Sequence, residues 1–222
     1  MQRYAACIVL TLAVLGGSRA LGIENATPAP GAWRPLFDGK SLEGWKKTEF
    51  GGEGEVRIED GKLILDFGAS MTGVTYQKPF PKSNYEIRLE AMRVEGNDFF
   101  CGLTFPVAES HCSFIVGGWG GTVVGLSSID GRDASENSTG QYREFKNGQW
   151  YKLRVRVTDD KIQCWIDDEQ VIDQALEGVE ISTRVEVNLN KPLGFATYDT
   201  RGALRNIAYR ELKSAGEKRN AE

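Results

Sequence analysis

Histidine is almost missing from this chain: His111 stands alone among 222 residues. That excludes a His-rich zinc site, and no H-E-x-x-H or G-x-S-x-G occurs; a Ser-His-Asp triad or a catalytic cysteine would have to recruit the one ring. Long hydrophobic runs are equally scarce. The run Ala5 to Leu15, broken only by Thr11, is too short to cross a bilayer, and no later stretch approaches the roughly 20 apolar residues required. A basic stripe is lacking too: 27 Lys and Arg face 31 Asp and Glu, the net charge is -4 and spread along the sequence, and nucleic acid is therefore not an expected partner. The glycine clusters at 51–54 and 117–121 lack the strand-to-helix setting of a phosphate loop. They read as turns, or as backbone kept slim for the close approach of a ligand.

What the first twenty residues do contain is an export signal: Arg3, the apolar run, then Ser18-Arg19-Ala20 at a cleavable position. The expectation is a mature protein beginning near Leu21, exported to the periplasm or the medium, with a linker over 21–32, one folded unit over 33–213 and a frayed tail over 214–222. Twenty-six glycines punctuate short segments of period two, among them VRIED, KLILDF, NYEIRLEAMRV, HCSFIVGGW, WYKLRVRV, KIQCWID and LRNIAYREL. That pattern predicts an all-β antiparallel sandwich or jelly roll, with no internal repeat.

Alternation also assigns faces. Tyr85, Ile87, Leu89 and Ala91 form one face of their strand, and Glu86, Arg88, Glu90 and Met92 the other. Tyr151, Leu153, Val155 and Val157 oppose Lys152, Arg154 and Arg156, while Ile162, Cys164 and Ile166 leave Gln163 and Trp165 outward. Trp165 is either covered by a neighbour or offered as a stacking platform for a sugar. Cys101 and Cys112 flank PVAES; a hairpin centred near Pro106 and Val107 would set them opposite, so a disulfide is expected in an exported protein, against the alternative of two buried thiols. Asn137-Ser138-Thr139 is a formal glycosylation sequon.

With histidine so rare, the chemistry left is that of carboxylates. Glu86 and Glu90 on one strand lie about 13 Å apart, too far for either glycosidase geometry. A partner must come from elsewhere, with Asp98, Asp130, Asp133 and Glu136 as candidates and turn or solvated-loop roles as their plain readings.

LFDGKSLEGW, YEIRLEAMRVEGND, NGQWYKLRVRVTDDKIQCWIDDEQVID and GALRNIAYREL together resemble the 3-keto-disaccharide hydrolase domain family, over nearly the whole mature chain. The resemblance implies a concanavalin A-like sandwich and a carbohydrate substrate oxidised at C3. The ketone acidifies the C2 proton, a base removes it, the C1 substituent leaves by elimination and water adds back. Glu90 matches the family's strand Glu and Asn97 its turn Asn; on this reading Glu90 or Glu136 is the base, His111 and Asp98 lie near the enolate or a divalent metal, and Arg88, Asn97, Trp119, Arg154 and Trp165 hold sugar. The segment around Leu36, Phe37 and Trp45 would be a structural latch, with Asp38 and Gly39 setting its turn. The alternative is a non-catalytic carbohydrate-binding module on the same fold, using Trp165 and Trp119. Convergence of Glu90, Asp98 and His111 on one pocket separates the two; the oligomeric state is not legible.

Overall fold

The computed structural model describes residues 31–213, so the expected export signal, most of the expected linker and the expected tail lie outside the described residues. Two antiparallel sheets face each other. The larger has the order β13 (Glu169–Ala175), β12 (Lys161–Ile166), β11 (Trp150–Val157), β6 (Tyr85–Gly96), β15 (Thr200–Glu211), β4 (Lys62–Leu65), β3 (Val56–Glu59), with β1 (Arg34–Pro35) also on β15. The smaller runs β10 (Gln141–Tyr142), β9 (Val123–Ser127), β8 (Ser110–Gly118), β7 (Cys101–Val107), β14 (Gly194–Tyr198), β5 (Met71–Tyr76), β2 (Trp45–Lys47). This is the expected β-sandwich.

The hydrophobic alternation places Tyr85, Ile87, Leu89, Leu153, Val155 and Ile162 of the larger sheet against Leu103, Phe105, Phe114, Leu126 and Phe195 of the smaller, all essentially solvent-free. Burying side chains of this size contributes roughly 1.5–3 kcal/mol each. Tyr85 sends its hydroxyl across the sandwich to the carbonyl of Pro106, so the one polar atom it carries into the core is paired.

The segment rich in Trp, Phe and Leu is a latch between the sheets. β1 pairs with β15 of one sheet and β2 with β5 of the other. Between them Leu36, Phe37 and Trp45 enter the core. Trp45 donates its indole N–H to the Leu36 carbonyl at 2.7 Å. Asp38 accepts from the backbone of Lys40 and Ser41, each at 2.8 Å, and Gly39 takes the left-handed φ of +73° that this turn needs.

The expected disulfide is not formed. The β7–β8 hairpin turns at Ala108 and Glu109, two residues later than PVAES implied, so Cys112 pairs with Phe105 and Cys101 with Val116. Both thiols face the core, four residues out of register, at a separation of about 13 Å along the strands. Cys101, Cys112 and Cys164 are free and buried, and burial pushes the Cys112 thiol up to about 12. They are packing groups.

Candidate functional site

The outer face of the smaller sheet is made of unusually small side chains. Gly73, Ala196, Gly102, Ile115 and Gly125 are successive register partners across β5, β14, β7, β8 and β9. Thr75, Gly194, Thr104, Ser113 and Ser127 form the neighbouring row. The glycines let loops settle onto the backbone. A Cβ at Gly102 would lie 3.1 Å from the Phe99 ring, one at Gly125 3.0 Å from Ala134, and one at Gly194 only 2.5 Å from the Asn190 amide. Where the loops stop short, a groove of about 370 Å³ remains.

Ser113, Ile115 and Ser127 form its floor, and Phe99, Tyr198, Met71, Trp119, Arg184 and Glu186 line it above. Phe99 and Tyr198 stack at 5.9 Å. Trp119 and Tyr198 are 40% and 43% exposed, which leaves aromatic faces open to a ligand. Ser113 shares a hydroxyl hydrogen bond with Thr104 at 2.9 Å. Ser127 Oγ has no partner although the residue is 1% exposed. A buried hydroxyl left unpaired costs about 1–3 kcal/mol, a cost that a ligand hydroxyl reaching the floor would remove.

The rim is held by identifiable contacts. Asp98 accepts from the Phe99 amide at 2.7 Å and from the Gly120 amide at 2.9 Å, fixing the loop in which Trp119 adopts a left-handed φ of +48°. Arg93, buried and stacked on Phe100, donates to the Gly121 carbonyl at 2.7 Å from the other side of that loop. A 3-10 helix, Val185–Asn190, carries Glu186. Asn190, fully buried, ties it to the sheet by donating to the Val74 carbonyl at 3.0 Å. Arg184 bridges Glu186 at 2.8 Å and Asp133 at 2.7 Å, and its hydrogen bond holds the Glu186 carboxyl below the usual range.

The residues singled out from sequence divide between the two outer faces. Trp119 and Asp98 reach the groove. Asn97 is exposed beside Asp98, its carbonyl close to Gly121. His111 shares the outward side of β8 with Ser113, two residues further along and outside the groove lining; burial, then Lys191 and Lys82, lower its pKa. Glu136 is exposed in the 130–140 loop, whose Asp133 holds Arg184. Arg88, Glu90 and Arg154 lie on the outer face of the larger sheet, across the sandwich from the groove. Burial would raise the Glu90 carboxyl, but hydrogen bonds from Asn206 at 2.8 Å and Arg205 at 2.9 Å outweigh it, and Glu90 is held ionised in an ion pair. Glu90, Asp98 and His111 therefore do not converge.

Trp165 is outward as expected but 9% exposed, because Arg154 lies 3.7 Å over its ring and Arg156 5.5 Å away. It is covered, and of the two tryptophans considered as platforms only Trp119 keeps an exposed ring. A divalent metal does not fit either: among the described residues no three His, Cys, Asp or Glu side chains gather, and both Asp98 oxygens already accept backbone amides. The sequon asparagine is engaged, donating to the Leu126 and Asp133 carbonyls at 2.7 Å each. Phe99, Tyr198, Ser127, Arg184 and Glu186 were not singled out from sequence. The flanking of Trp119 by four glycines was the one local signal of the groove.

Solved structures sharing this architecture include the carbohydrate-binding module CBM66 from Bacillus subtilis, with a TM-score of 0.52 and 14% identity over 76% of this chain and 96% of that one. A Bacillus subtilis protein of unknown function with a galectin-like fold reaches 0.56 at 11% identity over 83% and 97%. Crh5 transglycosylase in complex with NAG also reaches 0.56 at 11% identity, over 84% and 85%. At these identities the likeness is one of fold. No curated protein matches the sequence significantly. The sequence profile of one family does match, over residues 32–213, from the latch to the last strand, and by it the chain belongs to the 3-keto-alpha-glucoside-1,2-lyase-like domain family.

Proposed function

We propose that the groove on the smaller sheet is a sugar site, with a hexose ring laid against Trp119 and Tyr198 and its hydroxyls reaching Ser127, Ser113 and Arg184. The observation that carries this reading is the unpaired, buried Ser127 hydroxyl beneath an aromatic-lined opening. A neutral pyranose offers what such a floor lacks: a hydroxyl that can pair at depth and an apolar C–H face for the rings.

Membership of a lyase-like family supports a second reading, cleavage of a 3-keto-glycoside at this site. Glu186, kept ionised by Arg184, would take the C2 proton. The electron pair would pass to the C3 oxygen beside the Arg184 guanidinium, then return to expel the C1 oxygen with its aglycone, which leaves with the proton handed back by Glu186; water would add across the C1–C2 double bond. Glu186 takes the role that the sequence assigned to Glu90 or Glu136. Export belongs to the same reading, supported by the leader-like first twenty residues.

The test is a panel of neutral glucosides and their 3-keto derivatives, with binding followed by calorimetry and aglycone release by absorbance. Binding that weakens about tenfold in Trp119→Ala supports the sugar site. Release that is lost in Glu186→Gln while binding persists adds the elimination. Binding unchanged in both variants would remove the groove from consideration.

A further inference from the structure

The outer face of the larger sheet carries three rungs of long side chains across β11, β6 and β15. The outer rungs alternate in sign: Arg156–Glu86–Arg210 and Lys152–Glu90–Arg205. The middle rung does not. It reads Arg154–Arg88–Ala208, two guanidiniums directly opposite with no carboxylate between them. Like charges so placed repel, and a cross-strand pair of this kind destabilises a sheet.

Arg154 turns away to Glu86 at 3.1 Å, where it joins Arg156 and Arg210 on one solvent-free carboxylate. Arg88 has no such outlet. Among the described residues it makes no ion pair, and its guanidinium instead lies over the Trp33 ring at 4.2 Å. Lys152, exposed, also has no ion pair among the described residues, although Glu90 is its cross-strand partner, because Glu90 is taken by Arg205 and Asn206. Among the described residues the only other carboxylate on this groove is Asp167, which accepts the Lys152 backbone amide at 2.9 Å and faces Arg143. Six cations thus meet two carboxylates over three rungs, in a chain whose net charge is -4. The three middle-rung and flanking groups, Arg88, Arg154 and Lys152, line one open groove of about 660 Å³ beside Trp33.

We propose that this groove is an anion site that completes the middle rung with the carboxylate or sulfate of an acidic glycan, separate from the neutral-sugar groove on the other sheet. A planar guanidinium lying over Trp33 is already oriented for paired hydrogen bonds to an oxyanion, and a point charge at Lys152 adds reach without specificity. The anion site stands on the ladder alone; the choice of a glycan as its bearer rests on the sugar reading above.

The experiment is retention of the full chain in native gels containing polygalacturonate, chondroitin sulfate, neutral dextran or duplex DNA, at about 20 and about 200 mM salt, where screening lengths differ severalfold. The expected result is retention by the acidic glycans alone, weakened by salt and by roughly tenfold in Arg88→Gln and in Lys152→Gln, with Trp119→Ala unaffected. Stronger retention by polygalacturonate assigns the site to carboxylates, and by chondroitin sulfate to sulfates. Should Arg88→Gln shift the urea midpoint, Lys152→Gln, exposed and without an ion pair, carries the test. No retention at low salt, retention insensitive to both substitutions, or equal retention by DNA would overturn the proposal. Loss of neutral-sugar binding with acidic retention intact would fault only the other groove.

Discussion

The two outer faces of the sandwich obey the same alternation and use it in opposite ways. On the smaller sheet the outward positions are mostly Gly, Ala, Ser and Thr, so loops lie directly on the backbone and the space left between them is a shaped groove. On the larger sheet the outward positions are Arg, Lys, Glu and Trp, and long side chains fold over one another in place of loops. Small residues make a face that other segments define; large charged ones make a face that defines itself. The two proposed sites follow the same division, with an aromatic-lined groove on one side and an unbalanced cation ladder on the other.

The largest test of that contrast is Glu86→Ala. Removing the carboxylate leaves Arg154, Arg156 and Arg210 without their common partner and should cost about 3 kcal/mol in urea unfolding, the low end for a broken buried pair because the arginines can turn to water. A loss under about 1 kcal/mol would mean that stacking, not charge, organises this face. Next is Gly102→Val on the opposite side, expected to cost about 2 kcal/mol by driving its side chain into Phe99, with groove binding lost at the same time. Trp119→Ala should leave the unfolding midpoint in place and weaken sugar binding about tenfold, which calorimetry would read.

Acid should weaken the arginine face. Burial raises the Glu86 carboxyl, but hydrogen bonds from Arg156 and Arg210 bring it below its ordinary value. A carboxylate depressed on folding contributes stability that is present above its unfolded pKa and lost as pH falls through the folded one. Unfolding midpoints should therefore drop below about pH 4.3, and less so in Glu86→Gln, which has nothing left to titrate. The smallest effect belongs to Ser127→Ala. Its hydroxyl has no partner to lose, so stability should stay level or rise within about 0.5 kcal/mol while sugar affinity falls a few-fold.

Strands of the larger sheet were legible because one side is core and the other wet: Tyr85 to Ala91 and Tyr151 to Val157 alternate with charge, and the structure keeps their faces. β5 and β14 carry no such contrast. MTGVTY and GFATY are buried apart from their tyrosines, and their outward positions, Met71, Gly73, Thr75, Gly194, Ala196 and Tyr198, carry no charge. The cysteine pairing failed on register: a turn placed two residues early shifts every partner by four, and nothing in PVAES marks Ala108, with its left-handed φ of +49°, as the corner. Trp119 and Asp98 were legible as an exposed aromatic and a turn acid. Tyr198, Ser127 and Glu186 were not, because three distant segments supply them and each is unremarkable where it stands. The cation ladder was hidden for the same reason, since Arg88, Arg154 and Arg210 become neighbours only when β6 lies between β11 and β15.

The position of β15 sets a clock. It is the last strand among the described residues, yet it sits inside the larger sheet, bonded to β6, β4 and β1. Until residues 200–211 have emerged, β6 and β4 each present an open edge, and the latch has only one sheet to hold. A ribosome thus delivers a sandwich that stays unfinished until this strand has emerged, and the pairing of residues 34 and 209 spans almost the whole described sequence. A product cut short before residue 200 would carry two unpaired edges with nothing to cover them, the state in which sheets join one another and precipitate.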